Sequence, residues 1–321
     1  MNIPVELKKF ALNLQNGTAQ DALIRQLESI RLGLESISTI DLGGEQERSN
    51  LDSHAGMALG TTWAASCLED SVRTIQFVSG ILQAIDEKLA NTDRALHILY
   101  AGTGPYATLM LPALAGYTSD QIQCTLLEYN PESFRYMKKV IHDLGLESRV
   151  PSFVNADATS FEPKRGIDIL ISETMQAGLM VETQVPIALH LSQFLHSDGV
   201  MIPEAITVSA GLTSKIENTG KEGYSQLQPL LELNKRFCDD TEMPSGGNPL
   251  ITQTCVFEPN EYYPRLTLFT RIAVFGKYYI DDYLSGLTIP LILHEFRTFE
   301  KVEVHFRYEL EPKTGFRFEI R

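Results

Sequence analysis

Ala95-Leu96-His97-Ile98-Leu99-Tyr100-Ala101-Gly102-Thr103-Gly104-Pro105 is the stretch on which the fold turns. Ala95 to Tyr100 is apolar and of strand length, and two glycines follow it. Pro105 suits the first position of a helix over Pro105 to Ala115, where its missing N–H removes no bond. A strand, a glycine turn and a helix start let the backbone come close to a ligand. Twenty-four residues beyond Gly104, Glu128 closes a second apolar run, Ile122-Gln123-Cys124-Thr125-Leu126-Leu127. An acid there can accept from both hydroxyls of a ribose, so the pair marks a nucleoside-type ligand without naming it.

The alternation continues outward from this stretch. Pro131 to Leu144 reads as helix, Val150 to Val154 as a third strand, Ile167 to Ile171 as a fourth, and Val185 to Leu195 as helix before Gly199-Val200-Met201-Ile202-Pro203. Strands alternating with helices predict an α/β fold with a parallel sheet and right-handed crossovers. Upstream, a helix is expected over roughly Ala64 to Leu89. The first 40 residues also read as helices: Leu23, Leu27, Ile30, Leu34 and Ile37 recur at steps of four and three. That stripe covers barely two heptads, which favours a helix docked on its own core over a coiled coil. Asp41 to Ser53 reads as a polar linker. After Pro203 the pattern turns mostly β, with a helical insertion expected over Gly223 to Phe237 and a loop over Asp239 to Pro249. Leu266 to Val274, Thr288 to Leu293, Val302 to Leu310 and Phe316 to Ile320 are strand-like. The expected units are 1–90 (helical), 91–203 (parallel sheet) and 204–321 (β-rich, with the insertion near 223–240).

The fourth strand runs into Ser172-Glu173-Thr174-Met175-Gln176-Ala177-Gly178-Leu179-Met180-Val181-Glu182. Open α/β sheets bind their ligands at the carboxyl ends of the strands, so these two acids sit where chemistry is expected. Two carboxylates on one loop can fork around a planar cation such as guanidinium. After the third strand, Asp157 in Asn155-Ala156-Asp157-Ala158-Thr159 can accept from an adenine amino group, or simply form a turn.

Composition narrows the class. The chain has 321 residues, 43% hydrophobic and 21% charged, an ordinary globular balance. A net charge of -14 argues against nucleic acid, whose binders show a basic face. Cys67, Cys124, Cys238 and Cys255 are scattered without metal or disulfide spacing. No apolar run approaches the roughly 18 residues of a membrane span, and the start lacks the regions of a signal peptide. A cytoplasmic protein is expected, with no metal and no membrane partner.

Four stretches, in order, resemble the class I S-adenosylmethionine-dependent methyltransferases, and within them the protein arginine methyltransferases. Glu69-Asp70-Ser71-Val72-Arg73-Thr74 looks like the helix that precedes the sheet. Gly102-Thr103-Gly104 with Glu128 looks like the cofactor turn and ribose acid, Asp168 to Glu182 is similar to the double-glutamate loop, and Asp198 to Pro203 resembles the lead into a β-barrel. The resemblance covers about Leu68 to Ala210. It implies a Rossmann-like methyltransferase sheet with N-terminal helices and a C-terminal β-barrel-like domain. It implies S-adenosyl-L-methionine as cofactor, with Arg73 on its carboxylate and with Gly102, Thr103, Gly104, Glu128, Tyr129, Asp157 and Ala158 around it. Glu173 and Glu182 become the catalytic pair, with Met175 on the substrate side, and a homodimer is implied; His294 either takes a substrate-side role or is a structural histidine.

The chain also departs from that pattern. Tyr100 stands where the family has its first glycine, and Ile98 where an acid is common. The glutamate loop lacks the usual aromatics, and the Thr-His-Trp loop is missing, Trp63 being the only tryptophan. The expected activity is therefore methylation of a guanidino or amino nitrogen on a small molecule such as free arginine, with a protein arginine side chain as the near alternative. A lid from Gly223 to Pro249 is expected over a compact site. A methyltransferase acting on another amine or a hydroxyl, and an inactive cofactor-binding module, stay open. A dehydrogenase fits less well, since Ala107 stands at the third glycine of its motif and hydride transfer has no use for paired glutamates.

Overall fold

The computed structural model describes residues 2–38, 40, 51–53, 56–58, 60–214, 223–244, 247–311 and 313–321. The chain opens with two amphipathic helices, Ile3–Gln15 and Gln20–Ser38, which bury Leu7, Phe10, Leu27, Ile30 and Leu34 against the chain's own core. The linker expected over 41–53 falls outside the described residues up to position 50. Leu51–Ser53 (β1) then pairs antiparallel with Gly56–Ala58 (β2).

The helix expected over Ala64 to Leu89 is two helices, Thr61–Ser66 and Ser71–Leu89, separated by a short 3-10 turn. Asp70 causes the break. Its backbone leaves helical geometry and its carboxylate accepts from the Arg73 N–H at 3.0 Å, capping the second helix.

Five parallel strands follow: Leu96–Ala101 (β3), Ile122–Glu128 (β4), Ser152–Asn155 (β5), Ile167–Ser172 (β6) and Leu195–Ile202 (β7). They lie in the order β5-β4-β3-β6-β7, so the chain reverses its winding between β3 and β6. That reversal opens a crevice at the carboxyl ends of β3 and β4 on one side and β6 on the other. β3 and β6 are buried along their whole length, as strands covered on both faces must be. The helix expected from Pro105 shrinks to Leu111–Gly116. Residues before it are held in turns, with Gly104 N–H bound to Glu128 and Ala107 in the left-handed region at φ 51°. Pro131–Asp143 is helical as read, with Asn130 capping the N–H groups of Glu132 and Ser133.

Beyond Pro203 the strands are Ala205–Thr213 (β8), Tyr224–Asn234 (β9), Ile251–Phe257 (β10), Arg265–Phe275 (β11), Tyr278–Ile280 (β12), Leu291–Glu295 (β13), Val302–Glu309 (β14) and Gly315–Ile320 (β15). Among the described residues they form two antiparallel sheets, β12-β11-β8-β9 with β13 on β11, and β10-β14-β15, with no ladder closing them into a barrel. Side-chain amides span the gap instead. Gln228 donates to the Val256 carbonyl at 2.8 Å, and Gln253 donates to the Pro229 carbonyl at 2.9 Å.

The helical insertion over 223–237 is corrected. Tyr224–Asn234 is the strand β9, and only Lys235–Asp240 is helical. Leu230, Leu231 and Leu233 suit either period, but Pro229 cannot sit inside a helix, while a shift of register at Ser209 absorbs it in a strand. Its place in a ladder with β8 also removes the first half of the expected lid.

Candidate functional site

The crevice at the switch point is a cleft open to solvent at its mouth. Of the residues read from the sequence, Arg73, Gly102, Thr103, Gly104, Glu128, Tyr129, Asp157, Ala158, Glu173, Met175 and Glu182 all line it. His294 does not. It is exposed on β13, edge-on to Phe296, and opposes Leu266 in the ladder.

At one end the glycine turn is tied to the ribose-type acid. Glu128 accepts from Gly104 N–H at 2.7 Å with one oxygen and from Asn130 N–H at 2.8 Å with the other. Burial pushes its carboxyl up, and these backbone donors pull it back. Thr103 Oγ1 also donates to the first oxygen, at 3.4 Å, so the second is the better placed for a further donor. Gly102 sits at φ +73°, and an added Cβ would lie 2.2 Å from Thr174 Cγ2, so only glycine lets the turn pass beneath the glutamate loop.

Asp157 fits both readings of its sequence. One carboxylate oxygen accepts from Thr159 N–H at 2.9 Å and Thr159 Oγ1 at 2.7 Å, forming the turn, while the other is buried without a partner in the protein. Arg73 is likewise incompletely used. One guanidinium nitrogen pairs with Glu173, another donates to the Cys67 carbonyl at 3.1 Å, and Nε is buried without a partner. An unsatisfied buried acceptor and an unsatisfied buried donor in one cleft fit a ligand with an amino group and an anionic group. Tyr100, 3% exposed, adds a phenol beside Arg73 where the resembling family has no side chain, and burial raises its hydroxyl.

At the other end stand the two glutamates, each 7% exposed. Two carboxylates can fork around a planar cation, and Arg73 brings a guanidinium to one of them from within the chain, pairing with Glu173. Glu182 is raised to about 7, chiefly by burial, with the Arg73 charge and a hydrogen bond from Gln176 opposing. The loop joining the glutamates is clamped from the antiparallel sheets. Gly178 N–H donates to Thr270 Oγ1 at 2.6 Å, Tyr308 Oη donates to the Leu179 carbonyl at 2.7 Å, and Val181 N–H donates to the Thr314 carbonyl at 2.9 Å. Beneath the loop, the side-chain oxygen of Gln184 accepts from Thr174 N–H at 2.9 Å and Ser172 Oγ at 3.3 Å.

Sequence reasoning missed Met57, Ala64, Cys67, Leu68, Ser133 and Leu287 as cleft residues. Met57 and Leu287 are brought in from distant elements, while Cys67, Leu68 and Ser133 flank motifs legible in the sequence. Among the described residues no cluster of side chains could hold a metal ion, and no helix is long and apolar enough to cross a membrane.

No protein-family model matches the chain, and no curated protein matches its sequence. Solved structures do match in fold. The Trypanosoma brucei PRMT1 enzyme-prozyme heterotetrameric complex with AdoHcy aligns with a TM-score of 0.53 at 14% identity, over 79% of this chain and 96% of that one. A PRMT6–SAH crystal structure aligns with a TM-score of 0.56 at 14% identity, over 79% and 98%. Arabidopsis thaliana protein arginine methyltransferase 10, described in a uniquely open conformation, aligns with a TM-score of 0.57 at 10% identity, over 79% and 96%. At these identities the likeness establishes a shared architecture: a Rossmann-like parallel sheet with antiparallel sheets after it.

Proposed function

We propose that this chain is an S-adenosylmethionine-dependent methyltransferase acting on a guanidino or amino nitrogen, with a small molecule such as free arginine as acceptor. One observation carries the reading: a single cleft joins a nucleoside-type half (Gly102 to Gly104, Glu128, Asp157) to a half built on two buried carboxylates (Glu173, Glu182). The solved neighbours that carry AdoHcy or SAH support the same cofactor.

In this reading Glu128 holds the ribose hydroxyls, the unpartnered Asp157 oxygen takes the adenine amino group, and the free Arg73 donor meets the carboxylate. When bound, the cofactor supplies an electrophilic methyl group on a sulfonium. The acceptor nitrogen would take that methyl as the bond from carbon to sulfur gives its electron pair to sulfur, so the chain's part is to position the nitrogen and take its proton. Positioning does most of the work in such a displacement. Glu173 and Glu182 orient the guanidinium and draw its positive charge away from the attacking nitrogen, which is otherwise a poor nucleophile. Glu182, or solvent, takes the proton that nitrogen releases. The localisation in this reading is cytoplasmic, and the assembly a homodimer.

The burial of both glutamates favours a compact acceptor. A protein arginine side chain is the second reading, favoured by the enzymes whose fold is shared. Methyl-labelled cofactor with free arginine or an arginine-rich peptide separates the two, products being read by mass. Label on free arginine is the expected result. Label on peptide alone would move the assignment to protein modification. Label on neither, with the cofactor bound, would overturn nitrogen methylation of arginine in either form.

A further inference from the structure

The acceptor end of the cleft has a wall that no motif announces. Residues 281–290, between β12 and β13, form a strap whose 3-10 turn Gly286–Thr288 packs on Ala177–Leu179, the middle of the glutamate loop. Within it Leu287 lines the cleft while its neighbours Leu284 and Ile289 face solvent. The strap is tightly built. Ser285 caps its turn by accepting from Leu287 N–H at 3.1 Å, Thr288 N–H donates to the Ser285 carbonyl at 3.0 Å, and Thr288 is fully buried.

A single carboxylate pins this strap to the helix that carries Arg73. One oxygen of Asp70 caps that helix through Arg73 N–H, while the other accepts from Ser285 Oγ at 2.6 Å and Gly286 N–H at 2.9 Å. Asp70 and Ser285 are 215 residues apart in sequence. The geometry therefore fixes Leu287 relative to Arg73 and the glutamates together.

We propose that Leu287 is a specificity-determining residue for the methyl acceptor, and that Asp70 is the positioning residue that holds it. This rests on the reading of the cleft as a methyltransferase site. An apolar branched side chain at this wall has nothing to offer a guanidinium head, but it packs well against a slim aliphatic stem such as the methylenes of arginine. The acceptor class is thus a cationic head on an unbranched hydrocarbon stem. From Ser285 to Ile289 the strap carries no acid or base, and its two acids, Asp281 and Asp282, pair with Arg271.

The test is calorimetric binding of free L-arginine to the full chain loaded with S-adenosylhomocysteine. Wild type is compared with Leu287→Ala, Leu287→Met and Asp70→Ala. Leu287→Ala is expected to weaken arginine roughly tenfold, the scale of losing a few carbons from an apolar wall. Affinity for S-adenosylhomocysteine should stay within about twofold, since Leu287 stands at the acceptor end. Leu287→Met should recover arginine binding. Asp70→Ala should weaken arginine in the same direction, and a thermal melt confirms that each variant is folded. Arginine affinity unchanged in a folded Leu287→Ala would overturn the assignment of Leu287 alone. Wild type binding S-adenosylhomocysteine but not arginine would overturn the arginine-acceptor reading, and with it this one.

Discussion

Glu182 is a buried carboxyl raised to about 7, and its proton has two consequences that can be measured separately. A guanidinium acceptor needs the ionised form, so kcat/KM should climb with pH through about 7, roughly tenfold for each pH unit below it, and level off above. A flat profile across that range would remove Glu182 from the reaction. Stability has the opposite sign. The folded-state value lies above the 4.5 of an ordinary glutamate, so the stabilising contribution is complete below 4.5 and is lost as pH rises through about 7. Above about 7 the buried charge costs on the order of 3 kcal/mol, since each tenfold change in proton affinity is worth about 1.4 kcal/mol. Glu182→Gln carries no such charge. The variant should come close to wild type in urea at about pH 4.5 and exceed it well above pH 7, while losing most of its turnover and still binding cofactor. Glu173→Gln should lose turnover in the same way, and also leaves Arg73 without its carboxylate partner.

The glutamate loop is an element whose shape is set almost entirely from outside itself. Gly178, Leu179 and Val181 all have positive φ, and the latter two are not residues that choose it. The hydrogen bonds from Tyr308, and to Thr270 and Thr314, hold that conformation in place. Tyr308→Phe deletes the donor to the Leu179 carbonyl and leaves a buried acceptor unsatisfied. It should cost about 1–3 kcal/mol in urea unfolding and lower kcat while leaving cofactor affinity unchanged. A kcat equal to wild type would show that the loop keeps its geometry without that clamp.

The same element marks the limit of what the sequence discloses. β3, β4, β6 and the acids at their carboxyl ends are legible because strand and ligand-facing side chain are neighbours in sequence. The clamp and Leu287 are not, because they reach the cleft from strands and a strap far along the chain. The segment 224–234 reads as helix in sequence because its leucines satisfy two periods, and only its pairing with β8 decides between them.

At the scale of the whole molecule, the two N-terminal helices back the cleft. Leu7, Phe10, Leu27, Ile30 and Leu34 meet Leu68, Thr74 and Thr108, and those last three residues also line the ligand cleft from its other side. The stripe that resembles a coiled-coil seam is therefore spent inside one chain, and the proposed dimer would have to use another face. Leu34, fully buried, separates these possibilities. Leu34→Ala should destabilise the protein by about 2–5 kcal/mol, the usual cost of truncating a core leucine. That loss should be the same at two widely separated protein concentrations, because no partner chain is involved. A loss that shrinks as concentration rises would place the stripe at a subunit interface instead. Because Leu68, Thr74 and Thr108 are shared between the two cavities, the same substitution should weaken S-adenosylhomocysteine binding although Leu34 itself does not line the cleft. Calorimetry at a temperature where the variant is fully folded isolates that coupling, and an unchanged affinity would mean that the cleft wall is rigid without the helices behind it.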